Sequence, residues 1–178
     1  MINFHPPRST HHWLFTLLIL LVLATLAFSA PATTSQYRQS LVQWEGYRTT
    51  VYSRGIREPY LVGIGHRLTD AERRAHPSPH YTATQINQLF YSDLARAKAA
   101  CQRTFLTFNR QPAPIQILLV NLAFTCGPTG LTRWRALRFA IDNFAYEAAA
   151  AELVDSRWWV QVQPARANAM LRVLKNAY

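Results

Sequence analysis

The sequence predicts an α+β fold that is mainly α: a small hairpin-bearing part, a long helix, and a helical remainder. Three observations carry that prediction. Residues 49–64 are β-like, with Thr49, Thr50, Val51 and Tyr52 set against Tyr60, Leu61 and Val62 around Gly55 and Pro59. Thr82-Ala-Thr-Gln85 has the form of a capping box, and Ile86, Leu89, Phe90, Leu94, Ala97 and Cys101 recur behind it at helical spacing. Ile115–Cys126 is apolar nearly all round, the pattern of a central buried helix.

The elements follow in chain order. Met1–His12 is short and polar, with Arg8 as its only fixed charge, and reads as a cytoplasmic N-terminus. Trp13–Ala30 has eighteen residues and no charge, which just reaches the length a bilayer requires. Ala30-Pro31-Ala32 has the small-residue form of a signal-peptidase site, so residues 13–30 are either a cleaved signal peptide or a retained signal-anchor in the inner membrane. Either way Arg8 stays inside and the remainder is exported to the periplasm.

Residues 31–36 form a small, polar linker to a folded part spanning 37–178. Ser35 is placed to cap a helix that carries Tyr37, Leu41 and Trp44 on one apolar face. Gly46 is a natural stop for it. Glu45, the first acid in the chain, therefore stands at a helix C-terminus, where the dipole disfavours negative charge. A neutral, protonated carboxyl is the form a general acid needs.

After the β-like run, Asp70–His76 is a charged stretch and Pro77-Ser-Pro79 a break. The helix predicted over about 82–103 is long enough to act as a spine between an N-terminal lobe (37–81) and a C-terminal lobe (104–178). Asn109–Pro114 breaks the chain with two prolines, and Gly127-Pro128-Thr129-Gly130 ends the central helix. Amphipathic stretches follow at Thr132–Asn143 and Tyr146–Asp155, then the tryptophan-rich turn Ser156-Arg-Trp-Trp159. Trp158 and Trp159 read as core, with an exposed one able to stack on sugar. A last helix after Pro164 bears Arg166, Met170, Leu171 and Leu174.

Composition narrows the partners. With 178 residues, 49% hydrophobic and 12% aromatic, the chain can bury a real core. Nineteen Lys and Arg against nine Asp and Glu give a net charge of +10, which suits a polyanion such as nucleic acid, anionic lipid or the acidic bacterial wall. No nucleic-acid-reading motif is present, so nucleic acid is not the expected partner. Cys101 and Cys126 are the only cysteines, too few for a disulfide framework or a Cys-type zinc site; they form one bridge or remain buried thiols. The six His are scattered and five lack an acidic neighbour at a useful spacing. No metal, no cofactor and a monomer are expected.

Six short motifs in order then point to a family. They are Glu45-Gly46 with Tyr52; Gly63-Ile-Gly-His66-x-Leu-Thr69; Leu89-Phe90-x-x-Asp93; Asn121-x-x-Phe124-x-x-Gly127-x-Thr129-Gly130; Ser156-Arg-Trp158; and Pro164-x-Arg166. Over about residues 40–175 the chain resembles the phage-type lysozymes of glycoside hydrolase family 24, such as those of the T-even bacteriophages. The resemblance implies a two-lobed fold with a cleft for glycan, and an endolysin that hydrolyses peptidoglycan between N-acetylmuramic acid and N-acetylglucosamine. It implies that Glu45 is the general acid, that Arg166 approaches and holds it, and that His66 and Asp93 form an ion pair tying the N-terminal lobe to the connecting helix. Thr125 falls where the family contacts sugar.

One departure bears on mechanism. The family places Asp, or Cys in some members, eight residues beyond the glutamate's successor, and Thr further on, to support the water that attacks the sugar. Counted from Glu45 those positions hold Arg54 and Tyr60, which leaves them supporting or substrate-binding positions. Counted back from Gly63 the Thr position holds Leu61, because the hairpin is one residue longer. An inverting hydrolase needs a second carboxylate roughly 6.5–9.5 Å from the first. Arg54 cannot be a base, since a guanidinium keeps its proton up to about pH 12. Glu58, the other acid of the hairpin, is the candidate for that role. Two alternatives follow: a lytic transglycosylase that works with Glu45 alone, and a membrane-tethered wall-binding protein with catalysis lost.

Overall fold

A computed structural model describes residues 30–177 of the chain; the expectations for the N-terminus and for the apolar run up to residue 29 lie outside the described residues. Among the described residues no helix is long and apolar enough to cross a membrane.

The first helix, α1, spans Thr34–Glu45. Its cap is Thr33, not Ser35. The Thr33 hydroxyl accepts from the Gln36 amide while the Gln36 side chain returns to the Thr33 amide, a reciprocal box that places Ser35 inside the first turn. Tyr37 and Leu41 are buried, and Trp44 is half-buried. Gly46 closes the helix at φ 80°, its N–H bonding the Val42 carbonyl.

The β-like run becomes a three-stranded antiparallel sheet in the order β1 (Arg48–Ser53), β2 (Tyr60–Gly63), β3 (His66–Arg67). Tyr52 pairs with Leu61 and Ser53 with Tyr60, so residues 54–59 form the hairpin tip. The outer edge of β1 is not left open. Val51 N–H bonds the Pro79 carbonyl and Tyr81 N–H bonds the Thr49 carbonyl. The charged stretch after the sheet is itself helical: α2 spans Asp70–Ala75 behind a Thr69–Glu72 capping box.

Helix α3 runs from Ala83 to Thr104 with the predicted Thr82–Gln85 box at its start. Its 22 residues reach about 33 Å, enough to span a small domain. Ile86 packs with Val62, Leu68 and Tyr81 in a small cluster under the sheet. From Phe90 onward the same face, through Leu94, Ala97 and Cys101, enters the main core. One helix therefore carries the residues of both clusters.

The main core is built around α4 (Ala113–Thr132), whose Ile115, Leu119, Val120 and Leu122 are fully buried. Gly127, at φ 69° and ψ 168°, breaks the helical path inside it. Four helices complete the packing: α5 (Arg135–Asp142), α6 (Tyr146–Val154), α7 (Arg157–Gln161) and α8 (Pro164–Lys175). The predicted tryptophan-rich turn is thus a short helix, capped by Ser156. The result is the mainly helical α+β class the sequence predicts, with the sheet confined to one end.

Candidate active site

Glu45 is brought to the junction between sheet and helices by α1, which ends there. Each of its carboxylate oxygens meets an arginine. Arg166 of α8 donates Nη1 to Oε1 at 2.8 Å, and Arg54, just past β1, donates Nη2 to Oε2 at 3.0 Å. The two partners differ in burial. The Arg166 side chain is 7% exposed and Glu45 10%, whereas Arg54 is 56% exposed. Burial works against the charge of Arg54, but the hydrogen bond and charge of Glu45 outweigh it and hold the guanidinium above its ordinary value.

Arg166 is positioned by Asn121, a residue that the motif contains but to which the sequence assigned no role. Nη2 of Arg166 lies 3.3 Å from the Asn121 side-chain oxygen and 3.5 Å from its carbonyl. The Asn121 amide in turn donates to Ser40 Oγ at 3.0 Å and to the Ile117 carbonyl at 2.9 Å. One carboxamide therefore links α4, α1 and α8 beneath the glutamate. The available signal was an asparagine within the mostly apolar run Ile115–Cys126, where a buried amide has to find partners.

Gly65 lets the β2–β3 turn close over Glu45. Its φ is +69°, and a Cβ there would sit 3.1 Å from Cβ, Cγ and Oε2 of the glutamate. Gly65→Ala is expected to cost about 1–2 kcal/mol through the left-handed backbone and to push the carboxylate off its arginines. A urea melt reads the first effect; a fall in turnover with the folded fraction held constant reads the second.

In front of the two arginines lies an open cavity of about 810 Å³, lined by Arg54, Arg166, Trp44, Thr125 and Trp134 among others. Glu45 is not part of the lining. Thr125 is exposed there, its hydroxyl donating to the Asn121 carbonyl at 2.8 Å. Trp158 is buried and packs edge-on to Trp134, with its Nε1 unpartnered. Glu58 and Tyr60 lie elsewhere. Both face a shallow depression on the outer hairpin, and the Tyr60 ring stacks under Arg73 at 4.0 Å. The carboxylates that do line the cavity are Glu152 and Asp155, near the end of α6.

His66 on β3 is buried between two carboxylates, with Nδ1 2.8 Å from Asp93 of α3 and Nε2 3.3 Å from Glu72 of α2. Arg96 also contacts Asp93. Burial opposes the charged imidazole, but Asp93 and then Glu72 outweigh it and hold His66 above its ordinary value of 6.5. Glu72, mostly through its Thr69 hydrogen bonds set against burial, is held below its ordinary value. The cluster's stabilisation is therefore full below the unfolded histidine's pKa and is lost as pH rises through the raised folded value; on the acid side it fails as pH falls through the lowered folded value of Glu72. His66→Gln is expected to cost about 2 kcal/mol at pH 5.5 and markedly less at pH 9. Paired chemical melts at the two pH values check it.

Both cysteines are free thiols, so neither takes the bridged alternative. Burial pushes Cys101 up to about 12 and Cys126 up to about 11, the latter against the pull of Arg166. Among the described residues no three His, Cys, Asp or Glu side chains cluster as metal ligands would.

The family model for phage lysozyme matches residues 42–174, a span that holds Glu45, Arg54, His66, Asp93, Asn121 and Arg166. No curated protein matches the chain.

Proposed function

Because the chain belongs to the phage lysozyme family, a family of peptidoglycan-degrading endolysins, we propose that it cleaves the β-1,4 bond between N-acetylmuramic acid and N-acetylglucosamine with Glu45 as the general acid. The observation that carries this reading is the Glu45–Arg166–Asn121 chain at the back of an open cavity. Arg166 fixes one oxygen of the carboxyl. The other, once Arg54 has left it, delivers a proton to the glycosidic oxygen as the bond to C1 breaks. Thr125 and the tryptophans of the cavity wall offer sugar a hydroxyl and flat apolar faces.

The second catalytic role is what separates two forms of the reaction. In the muramidase form water attacks C1, and a water held by the hairpin backbone, the substrate itself, or Glu58 swung in from the outer hairpin assists. In the transglycosylase form Glu45 gives its proton to the leaving glycosidic oxygen, then takes one from the sugar hydroxyl that attacks C1, and an anhydro ring closes. Arg54 supports the second form, since an arginine that bonds Glu45 holds the sequence position at which the family's second carboxylate is expected. Digestion of purified peptidoglycan in ¹⁸O-water distinguishes them. Reducing ends carrying ¹⁸O indicate hydrolysis; anhydro ends without ¹⁸O indicate the transglycosylase. Wall binding with no product supports a scaffold that has lost catalysis.

The proposal includes export as a monomer to the periplasm, with residues 13–30 serving as signal-anchor or cleaved signal. Membrane fractionation and the mass of the exported chain decide between these.

A further inference from the structure

Resting on the glycan-cleaving reading above, we infer that Arg54 is a specificity-determining latch. It occupies the reactive oxygen of Glu45 in the free protein and is drawn away by an anionic group of the substrate, so that a charged glycan is cleaved in preference to a neutral one.

Three observations lead there. Both oxygens of Glu45 accept a hydrogen bond from a guanidinium, so neither is left unpartnered to meet a glycosidic oxygen. The general acid is also screened, 10% exposed and absent from the lining of the cavity that Arg54 does line. One arginine therefore has to leave before a glycosidic oxygen can reach Glu45.

Burial and anchoring decide which one leaves. Arg166 is enclosed and held by Asn121. Arg54 is 56% exposed, and its one ion-pair partner among the described residues is Glu45, so its contact is the solvent-screened, weakly held one. It sits at the start of the hairpin tip, where Arg54, Gly55, Ile56, Arg57 and Glu58 are all exposed.

The cavity supplies the reason for the swing. Its lining is positive on balance, five arginines against the carboxylates Glu152 and Asp155, and Arg133, Arg135 and Arg157 have no ion-pair partner among the described residues. A ligand carrying carboxylates is favoured there, and it brings the counter-charge that Arg54 exchanges for Glu45. Peptidoglycan carries such groups on its peptide stems. A neutral glycan has nothing to offer Arg54.

The test uses the full chain and purified peptidoglycan, untreated and after conversion of its carboxyl groups to amides. Turnover is measured for the natural chain, Arg54→Gln, Arg54→Lys and Glu45→Gln. Arg54→Gln is expected to speed cleavage of the amidated wall up to about fivefold, the most a solvent-screened ion pair is worth, and to slow cleavage of the untreated wall. Arg54→Lys, which retains the charge, is expected to keep the preference of the natural chain for the untreated wall. If Arg54→Gln changes both substrates in the same direction, or changes neither while melting normally, the latch is overturned and the glycan-cleaving reading stands. If no chain releases product from either wall, or if Glu45→Gln matches the natural chain, the underlying reading falls and the latch with it.

Discussion

Glu45→Gln lowers the rate of peptidoglycan cleavage by about 10²–10⁴, the range a positioned general acid contributes, with the loss in kcat. The amide is the same shape and still offers an oxygen to Arg166, but it has no proton to give the leaving glycosidic oxygen. Binding to the wall is expected to persist, because the tryptophan-lined cavity and its arginines are untouched. Sedimentation of the variant with insoluble wall, beside its rate of solubilising that wall, separates the two quantities.

Arg166→Leu has the second large effect, and it acts on stability and activity together. The arginine is even more enclosed than the glutamate it holds, at 7% and 10% exposure. Removing one partner of a buried pair costs about 3–5 kcal/mol, and the low end applies because Arg54 remains on the other oxygen. Oε1 of Glu45 and the Asn121 side-chain oxygen both lose their donor. A misplaced catalytic group is expected to cost about a hundredfold in rate. Arg166→Lys keeps the charge without the fork, so it recovers part of the stability and little of the rate. Urea melts and turnover on the same preparations check both.

The difference between what was legible and what was not follows sequence distance. Thr82 and Gln85 announce α3 because a capping box lies within one turn, and the apolar spacing behind it settles the helix length. The same logic applied to α1 chose Ser35 and missed that Thr33 has a glutamine three residues on. Helix α2 gave no apolar period to read, being six mostly charged or small residues, although Thr69 and Glu72 had the capping spacing. Side-chain meetings across the fold are another matter. That Arg54 turns back onto Glu45 depends on the hairpin register, in which Ser53 pairs with Tyr60 and residue 54 begins the tip. That Asn121 aims Arg166 depends on α4 and α8 lying side by side, 45 residues apart in sequence. The spacing from Glu45 to Arg54 marked the position as unusual, but only the folded hairpin shows it beside the carboxylate.

The measurement that tests the central claim most directly is the mass analysis of soluble fragments released from purified peptidoglycan by the natural chain and by Glu45→Gln side by side. The expected result is disaccharide–peptide fragments from the natural chain, cut at the glycan, with release by the variant reduced by the factor above. Wall that is bound but yields no fragments, fragments cut within the peptide, or equal release by the two chains would contradict it.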